Sequence, residues 1–532
     1  MDAPTAPADP PPHPSWWRSA IAGLVAAAVA LAVGELVAGL SSRLTAPVIS
    51  VGNRVVDAVP RQVKDTAIDL FGTNDKVALL VGIYTIAALF GLGLGVLAAR
   101  RFWIGAAGIA AFGVVGVVAA SQEVGAPWWA GAPSVVGAVV GVAVLGVVLA
   151  TIPGAAHPTA ADPVEAASRP DSDLAGGLLA RRGFLKVTGA VAVIGAGLAT
   201  SGRWLQSRFS ASESRRNVEL PAPGEPVPPV ADAATVEADG VSPFVTPNAD
   251  FYRIDTNLTV PQLPAETWGL RIHGMVDQEV ELTYQDLLAM DLVEERITMT
   301  CVSNEVGGSL VGTADWLGVP LRDLLDRAGV RDGADQVVGR AFDGFTTGFP
   351  VETLDDGRPA LLAIGMNGEP LPLEHGFPAR VIVPGLYGYV SATKWITEIE
   401  LTTFDAFDQY WVQRDWAAEA PIKTMARIDT PGGLERVSPG TVPVAGVAWA
   451  QTRGIERVEV RVDDGEWTDA RLAAEDSDLT WRQWVYDWEA TSGRHQLTVR
   501  ATDGTGETQT QERAEPFPNG ASGWHSIAVL VD

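Results

Sequence analysis

The sequence contains a single cysteine, Cys301, in 532 residues. One cysteine cannot form an intramolecular disulfide, so the folded chain must be stabilised by core burial rather than by covalent cross-links. Basic residues are also scarce: 38 lysines and arginines stand against 64 acidic residues, and the formal net charge is −26. Binding to a phosphate backbone needs a basic surface, so this charge excludes nucleic acid as a partner and indicates a solvated acidic surface.

Histidine is scarce as well. The chain has six histidines, and none lies in its long apolar segments. A haem held by two histidines inside a membrane is therefore excluded. The chain also has no CxxCH haem-attachment motif and no flavin or iron–sulfur signature. The six histidines are His13, His157, His273, His375, His495 and His525.

Apolar residues make up 47% of the chain, and the excess is concentrated in the first 200 residues. Four apolar segments of about 20 residues are each long enough to cross the roughly 30 Å hydrocarbon core of a bilayer. Their many glycines and alanines suit close helix–helix contact in lipid, although buried helices of a soluble domain are the alternative. The segments are Ala20–Leu40, Val77–Ala99, Phe102–Ala120 and Gly131–Ile152.

The basic residues beside these segments predict their orientation. Arg18 places the N-terminus on the cytoplasmic side, and Arg100 with Arg101 places the second short loop there. The loop Ser41–Lys76 carries five basic residues and conflicts with this orientation, although its acids nearly balance them. Glu35 is the one acid inside a segment; it is either an interfacial residue or a functional intramembrane carboxylate.

A second signal follows the fourth segment. The stretch Arg181–Lys186 reads RRGFLK and precedes a weakly apolar run that extends to Thr200. It resembles a twin-arginine export signal, which is read in the cytoplasm; the alternative is an ordinary basic flank of a fifth span. Four spans that start inside return the chain to the inside at this point, in agreement with the signal. No cleavage site is evident, so we expect the segment to remain as a fifth helix.

These observations predict a multidomain chain. The N-terminal region is a helical transmembrane region of about five spans, followed by an α+β domain and an all-β immunoglobulin-like sandwich. The predicted parts are a disordered tail at 1–18, four spans in 19–152, a cytoplasmic linker at 153–180, the signal and fifth span at 181–203, a Pro-rich linker at 204–240, the α+β domain at 241–415 and the sandwich at 416–532.

The stretch Ile297–Gly308 surrounds the lone cysteine. An apolar, β-prone run leads into Cys301, and a polar, glycine-rich turn follows it. This pattern predicts a thiolate ligand at the end of a strand, on a loop that allows close backbone approach. The alternative is ordinary, because most buried free cysteines are inert small apolar residues.

Residues 241–415 mix helical and strand patterns. The helices are predicted at Leu282–Met290 and Trp316–Val330, and the strands at Arg271–Val276, Glu295–Cys301, Ala379–Gly385 and Thr393–Leu401.

After Trp416 the pattern becomes all-β. Val458, Val460 and Val462 alternate before an Asp-Asp-Gly turn, which indicates a hairpin. Several such strands suggest an immunoglobulin-like sandwich. Five tryptophans are predicted to pack its core rather than to form a binding platform: Trp449, Trp467, Trp481, Trp484 and Trp488.

Four blocks between residues 240 and 530 resemble successive blocks of the sulfite oxidase family of molybdopterin-dependent oxidoreductases. The most specific pattern is HGFPARVIVPG followed by Lys-Trp. The resemblance implies a molybdenum–molybdopterin cofactor with one pyranopterin dithiolene and with Cys301 as the single protein ligand to the metal. The blocks are Thr246–Leu258, Glu295–Gly308, Trp316–Val330 and Met366–Leu401.

The same resemblance implies roles for further residues. Catalysis would involve Cys301, Arg253 and Tyr252. The cofactor-binding residues would be Asn248, Tyr252, Arg253, Cys301, Ser303, His375, Arg380, Ser391, Thr393 and Lys394.

The chain departs from the family pattern at two places that concern the substrate. In sulfite oxidases an arginine follows the ligand cysteine by a few residues, whereas here Asn304, Glu305 and Val306 stand there. The family's active-site tyrosine is also not evident; the corresponding run gives Asp408, and the nearest tyrosine is Tyr410. Sulfite is therefore in doubt as the substrate.

Three functional classes are compatible with these features. The first is an oxidase or dehydrogenase of sulfite or another small sulfur compound, and the second is a reductase of oxidised substrates such as sulfoxides. The third is a non-catalytic surface protein. In the enzyme classes the catalytic domains face outward from the plasma membrane, and electrons pass to or from an external electron-transfer protein or a quinone-linked partner. The blocks Ala420–Pro431 and Pro518–Ile527 resemble the family's dimerisation domain, which implies a possible homodimer.

Overall fold

A computed structural model describes residues 14–41, 43–59, 63, 66, 70–71, 75–123, 126–156, 173–207 and 210–532. These residues form two compact units. The first consists of Met1–Ser210 with Thr256–Thr259, and the second of Ala211–Asp255 with Val260–Asp532. Most of the predicted tail at 1–18 and of the predicted linker at 153–180 lies outside the described residues.

The first unit is a bundle of helices. Five of its described helices are long and apolar enough to cross a membrane. The predicted apolar segments coincide with the first four of these, and the stretch after the Arg-Arg pair lies in the fifth. The helices are α1 (Trp16–Ala38), α2 (Pro47–Ala58), α3 (Asp75–Arg100), α4 (Phe102–Ser121), α5 (Ala132–Leu149) and α6 (Asp173–Ser207).

Glycines bring the backbones of α1 and α3 into direct contact. A Cβ added to Gly23 would lie 2.1 Å from the carbonyl oxygen of Gly91 and 2.5 Å from the nitrogen of Gly95. A Cβ on Gly95 would meet the Ser19 oxygen at 2.0 Å. Larger residues would force these helices apart, which explains why small residues were needed in this part of the sequence.

The second unit begins earlier than the sequence predicts. Ala211–Asn217 forms a short helix, α7, and Ala211 is completely buried. The Arg215 guanidinium donates hydrogen bonds to the carbonyl oxygens of Pro370 and Leu371, at 2.6 Å and 2.8 Å. Residues 211–240, placed in a Pro-rich linker by their composition, therefore pack along the folded unit.

Two sheets form the centre of residues 241–415. One has the order β2-β1-β10-β5-β6, with β1 and β10 parallel; the other has the order β3-β4-β7-β8, with β9 paired to β7. The strands are β1 (Gly269–Gly274), β2 (Val280–Thr283), β3 (Val293–Thr300), β4 (Val311–Pro320), β5 (Gln336–Ala341), β6 (Thr346–Pro350), β7 (Leu361–Met366), β8 (Glu369–Pro370), β9 (Arg380–Ile382) and β10 (Ile396–Thr402).

Short helices connect these strands, and the mixed architecture agrees with the predicted α+β class. Thr283 and Asp286 form a capping box at the start of the second helix of this unit, which satisfies its free N–H groups. The α-helices are α8 (Tyr284–Leu288), α9 (Leu321–Ala328) and α10 (Gly388–Ser391), and the 3-10 helices are Asp232–Ala234, Ala265–Thr267, Val351–Leu354, Leu373–His375 and Val412–Arg414.

The predicted helix Trp316–Val330 is wrong in its first five residues. Trp316–Pro320 is the end of β4, and the helix α9 starts only at Leu321. The strand pairs with β3 along one edge and with β7 along the other, and residues on both of its faces are buried. A strand buried on both faces has no polar alternation, and its apolar run reads as a continuation of the helix.

Two further sheets make up the C-terminal region. Their orders are β11-β13-β17-β16 and β12-β19-β18-β14-β15, and residues of both pack in one core. The predicted hairpin is confirmed, because β14 pairs with β15 across the Asp-Asp-Gly turn. The strands are β11 (Met425–Thr430), β12 (Arg436–Val437), β13 (Gly440–Trp449), β14 (Ile455–Val462), β15 (Thr468–Asp469), β16 (Arg471–Leu472), β17 (Arg482–Ala490), β18 (Gly493–Asp503) and β19 (His525–Val531).

Of the five tryptophans assigned to this core, Trp484 and Trp488 lie in it. Trp449 and Trp481 are buried in a separate cluster that includes Phe244 and Tyr387, and Trp467 is half-buried. The region is thus β-rich, as predicted, while its immunoglobulin-like class stays a prediction.

Candidate functional site

Cys301 is the first residue after β3, so the predicted position at the end of a strand is confirmed. Its side chain is buried, and the residue is only 8% exposed. The backbone is fixed on both sides: the Cys301 N–H donates to the Leu310 oxygen at 2.9 Å, and the Cys301 oxygen accepts from the Asn304 N–H at 3.0 Å. The thiol is therefore presented by a rigid turn rather than by a free loop.

The turn after Cys301 is tightly folded. The buried Asn304 accepts a hydrogen bond from the Leu310 N–H at 2.8 Å through its Oδ1. A Cβ on Gly308 would lie 2.6 Å from that oxygen, and Gly307 has φ +81°. The left-handed backbone at Gly307 and the close approach at Gly308 explain the pair of glycines in the sequence.

Two residues of the C-terminal β region hold this turn from outside. The Arg427 guanidinium donates to the Gly308 carbonyl oxygen at 2.8 Å. The His525 ring lies over Gly307, where an added Cβ would meet it at 2.3 Å. His525 Nδ1 in turn accepts from the Ile428 N–H at 3.0 Å. The C-terminal region thus contributes to the geometry of the cysteine turn.

Burial raises the pKa of the Cys301 thiol, while hydrogen bonds from Ser303 and the Lys394 charge oppose the increase. A thiol in this environment is protonated until a cation replaces its proton. Burial also raises the pKa of Tyr252, and that of Tyr387 to about 12. A negative charge on Cys301 raises both further, so both phenols lie within electrostatic reach of the sulfur and stay neutral.

Arg380 is a buried cation with few partners. It is 5% exposed, and one of its Nη atoms donates to the His375 carbonyl oxygen at 3.1 Å. Its Nε has no hydrogen-bond partner among the residues that the structure describes. The guanidinium lies 5.2 Å from the ring centroid of Trp316. Burial lowers the Arg380 pKa to about 10, so the charge is retained at neutral pH, and no carboxylate of the described residues pairs with it.

His375 lies beside Arg380 and is also buried. Its Nε2 donates to the Asn248 carbonyl oxygen at 3.2 Å, and its ring packs edge-on against Phe251. Burial, together with the Arg380 charge, lowers the His375 pKa to about 4. The imidazole is therefore neutral, with one nitrogen free to accept a hydrogen bond.

Lys394 is the second buried cation of the cluster. Its Nζ contacts Asp255 at 3.2 Å and donates to the Glu374 carbonyl oxygen at 3.1 Å. Burial lowers its pKa to about 8. Asp255 also pairs with Arg253 at 2.8 Å, and the Arg253 side chain is 38% exposed. Arg253 therefore stands at the surface with its charge partly compensated, whereas Lys394 is enclosed.

The remaining predicted site residues make contacts within the protein. Asn248 donates to Glu369 at 2.6 Å and accepts from Asn367 at 2.8 Å. The buried Ser391 hydroxyl donates to the Leu386 and Tyr387 oxygens, and the Thr393 hydroxyl contacts that of Thr347 at 2.6 Å. Ser303 is exposed at the mouth of the cysteine turn.

The structure thus brings Cys301, Tyr252, His375, Arg380 and Lys394 into one buried cluster, coupled through their charges. The described residues contain no group of three or more His, Cys, Asp or Glu side chains that could hold a metal ion. A metal at Cys301 would consequently need ligands that the protein does not supply. The site offers one thiolate, neutral imidazole and phenol donors, and an unbalanced buried guanidinium. This set of groups fits a metal that arrives with its own anionic, polar ligand.

Sequence reasoning missed four residues of this site. Tyr387 and Asp255 lie inside the blocks that were recognised, but no pattern distinguished them. Arg427 and His525 act from more than 100 residues away along the chain, and no local signal indicates such contacts. In contrast, Tyr410, the tyrosine nearest to the expected family position, packs against Phe345 and Trp411.

Comparisons with known proteins agree with this geometry. Residues 257–411 match the family model described as oxidoreductase molybdopterin binding domain. Mitochondrial sulfite oxidase of Homo sapiens is 28% identical over 341 residues, which cover 54% of this chain and 62% of the human protein. YuiH of Bacillus subtilis (strain 168), named an uncharacterized oxidoreductase, is 39% identical over 137 residues, covering 25% of this chain and 65% of that protein.

Among solved structures, the sulfane dehydrogenase SoxCD from Paracoccus pantotrophus is similar with a TM-score of 0.48 and 23% identity, covering 56% of this chain and 82% of that chain. The chain spans about three fifths of the length of the sulfite oxidases that it matches (62%). It contains a sulfite-oxidase-like molybdopterin domain, joined to a β-rich C-terminal region and preceded by helices apolar enough to span a membrane.

Proposed function

We propose that the chain is a membrane-anchored molybdopterin-dependent oxidoreductase of the sulfite oxidase type, acting on a small sulfur-containing substrate. One observation carries the proposal: a buried thiol, Cys301, lies in one cluster with a buried cation, Arg380, that has no carboxylate partner among the described residues. An isolated buried charge is costly unless a bound group balances it. The match of residues 257–411 to a molybdopterin-binding domain supports the molybdopterin cofactor as this bound group.

In this proposal Cys301 is the protein ligand to molybdenum. Its raised thiol pKa means that coordination releases a proton, and the Ser303 hydrogen bonds and Lys394 charge favour the thiolate that results. The tight turn at Gly307 and Gly308 fixes the sulfur before the metal arrives, so little reorganisation is needed on binding.

The buried cations hold the polar parts of the pterin. Arg380 can form a charge-assisted bond through its unpartnered Nε. Lys394 contributes a second positive charge, and His375 offers a ring nitrogen as an acceptor. Asn248, Ser303, Ser391 and Thr393 are proposed as further contacts through their remaining hydrogen-bonding atoms.

When bound, the cofactor supplies two-electron oxygen-atom transfer. The chain's own contribution is to orient the substrate and to manage protons beside the metal. Tyr252 keeps its proton because burial raises its pKa, so it would serve as a neutral hydrogen-bond donor to a bound substrate. Arg253 is the exposed cation that a substrate would meet first.

The site is proposed to bind a dianion such as sulfite weakly, so the substrate is proposed to be another compound. Arg253 is already paired with Asp255, and the exposed Glu305 stands where the family has an arginine. This pairing favours a second candidate function, reduction of a neutral oxidised substrate such as a sulfoxide.

The helices of the first unit are proposed to anchor the protein in the plasma membrane with the catalytic domain outside. A domain that receives its cofactor in the cytoplasm must be exported in the folded state. The proposed twin-arginine signal at Arg181 and Arg182 would direct such export. The sequence has no CxxCH haem-attachment motif and no flavin or iron–sulfur signature, so we propose an external protein or a quinone-linked carrier as the partner for electrons. A homodimer through the C-terminal β region is proposed from the resemblance alone.

Steady-state assays on the molybdenum-loaded protein test the reaction. We expect turnover with methionine sulfoxide and a reduced dye to exceed turnover of sulfite with an oxidised dye. Arg253→Gln should raise KM with little change in kcat if the guanidinium only binds substrate. Turnover of neither substrate class by the loaded protein would overturn the enzymatic proposal.

A further inference from the structure

We propose that the first unit contains a binding site for a lipid-soluble quinone, in a cavity between α1, α3 and α6. The cavity has a volume of about 270 Å³, close to the lower bound of small-molecule sites. Its lining is apolar along most of its length and polar at one end. The lining residues include Leu24, Leu31, Glu35, Tyr84, Ala88 and Arg203.

The polar end is built by one side chain from each of three helices: Glu35, Tyr84 and Arg203. Gln206 donates to the Glu35 carboxylate at 3.3 Å, and Arg203 is close enough to Glu35 and Tyr84 for its charge to act on both. Ionisable groups within apolar spans are costly, and they are found where they serve a site.

The backbones of α1 and α6 are in contact at this end. A Cβ on Gly202 would lie 2.7 Å from the Leu36 nitrogen and 2.9 Å from the Glu35 oxygen, and one on Gly39 would lie 2.6 Å from the Gly202 oxygen. This close packing holds Arg203 beside Glu35. The polar groups therefore have fixed positions relative to the cavity.

The charges at the polar end select the chemistry of the occupant. A carboxylate and a guanidinium facing the same space disfavour both an anion, such as a lipid phosphate, and a cation. A neutral quinone ring suits them: Arg203 and Tyr84 can donate to its carbonyl oxygens, and Glu35 can accept from a hydroxyl when the hydroquinone form is the one bound.

The apolar part suits the tail of such a molecule. A second cavity of about 130 Å³ is lined by residues of α1 to α5 and shares Ala27, Leu31 and Ala87 with the first. The two spaces are therefore neighbours along α1 and α3. An isoprenoid chain attached to a ring at Glu35 would thus find an apolar path deeper into the bundle.

Photolabelling tests the site directly. The full-length protein in detergent is irradiated with an azidoquinone, and mass spectrometry locates the labelled peptides. We expect labels on α1, α3 and α6, removed by excess decylubiquinone. Ala88→Phe fills the cavity and should reduce labelling about tenfold or more, whereas Leu89→Phe, at the 63% exposed neighbouring position, should leave it unchanged. Arg203→Gln, which removes one donor without filling space, should weaken labelling about tenfold.

The measurement does not depend on molybdenum, and Cys301→Ser protein should be labelled as strongly as the wild type. The quinone site would be overturned if Ala88→Phe left the labelling unchanged. It would also be overturned if phosphatidylglycerol removed the labelling and decylubiquinone did not.

Discussion

Arg380 and Arg296 are two buried arginines of the same unit with opposite surroundings. Both are 5% exposed. Arg296 forms ion pairs with Asp315 at 2.7 Å and with Asp476 at 3.1 Å. Among the described residues, Arg380 contacts the His375 carbonyl oxygen and the face of Trp316 but no carboxylate. The protein itself balances the charge of Arg296, and we propose that a bound anion balances that of Arg380.

This contrast gives a matched pair of substitutions. Arg296→Met should destabilise the cofactor-free protein by about 3–5 kcal/mol, because it leaves two carboxylates without their cation. Arg380→Met should leave the free energy of unfolding unchanged or increase it, while abolishing cofactor retention. Thermal unfolding and pterin fluorescence of the purified variants measure the two effects. A large loss of stability in Arg380→Met would show that Arg380 is a structural residue.

His525 makes stability depend on pH. Burial, followed by the Arg427 charge, lowers its pKa to about 4 from the usual 6.5, and its Nδ1 must stay unprotonated to accept from Ile428. The unfolded chain takes up this proton near pH 6.5 and the folded chain only near pH 4. Stability is therefore lost as the pH falls through this window.

We expect His525→Gln to reduce the acid-induced loss of stability between pH 7 and pH 4 by about 2 kcal/mol. His495→Gln is the control of opposite sign, because the hydrogen bond to Asp463 raises the His495 pKa. Removing His495 should make the loss at low pH steeper. Identical pH profiles for the wild type and His525→Gln would contradict this assignment.

At the scale of elements, the cysteine turn is held between β3 and the C-terminal β region. Gly307 combines a left-handed backbone with a ring directly over its Cα. Gly357 has a similar φ of +90° but nothing within 4 Å of an added Cβ. Alanine substitutions at these two glycines therefore separate the cost of backbone strain from the cost of steric contact.

Gly357→Ala should cost about 1–2 kcal/mol through its backbone alone. Gly307→Ala should cost about 2 kcal/mol more, because the His525 ring must move, and it should also weaken molybdenum retention. Urea unfolding and metal content provide the comparison. Equal costs for both substitutions would mean that the turn is free to move away from the C-terminal region.

The same elements show what the sequence could predict. The hairpin after β14 and the strand before Cys301 were predictable because their signals are local. The strand at Trp316–Pro320 was not, because burial on both faces removes the polar alternation that identifies a strand. Residues 211–240 have a linker composition, and their helix and contacts depend on partners such as Pro370 and Gln483 that are distant in sequence.

The candidate site also contains some features that local sequence signals predict and others that depend on contacts distant in sequence. The single cysteine and the block around Arg380 were visible in the sequence, and the resemblance named Arg380 as a cofactor-binding residue. The sequence does not show which of the cations in the site are paired with a carboxylate. Asp255 pairs with both Arg253 and Lys394, and this contact decides that Arg380, rather than Lys394, carries the unbalanced charge.

At the scale of the whole molecule, the twin-arginine reading predicts where the second unit resides. Arg181→Lys with Arg182→Lys keeps the positive charge but removes the paired arginines that the signal requires. We expect the double variant to keep its membrane helices while the domain at 211–532 stays in the cytoplasm. Protease added to spheroplasts should degrade this domain in the wild type only. Degradation in both proteins would show that the pair serves as an ordinary basic flank.

The most direct test of the account is the molybdenum content of the purified full-length protein, produced in a host that makes the cofactor. The matched variant is Cys301→Ser, which replaces the thiol by a hydroxyl of similar size at a buried position. We predict about one molybdenum per wild-type chain and none in the variant, with similar unfolding temperatures for both. Wild-type protein without molybdenum, or a variant that retains it, would contradict the assignment of Cys301 as the metal ligand.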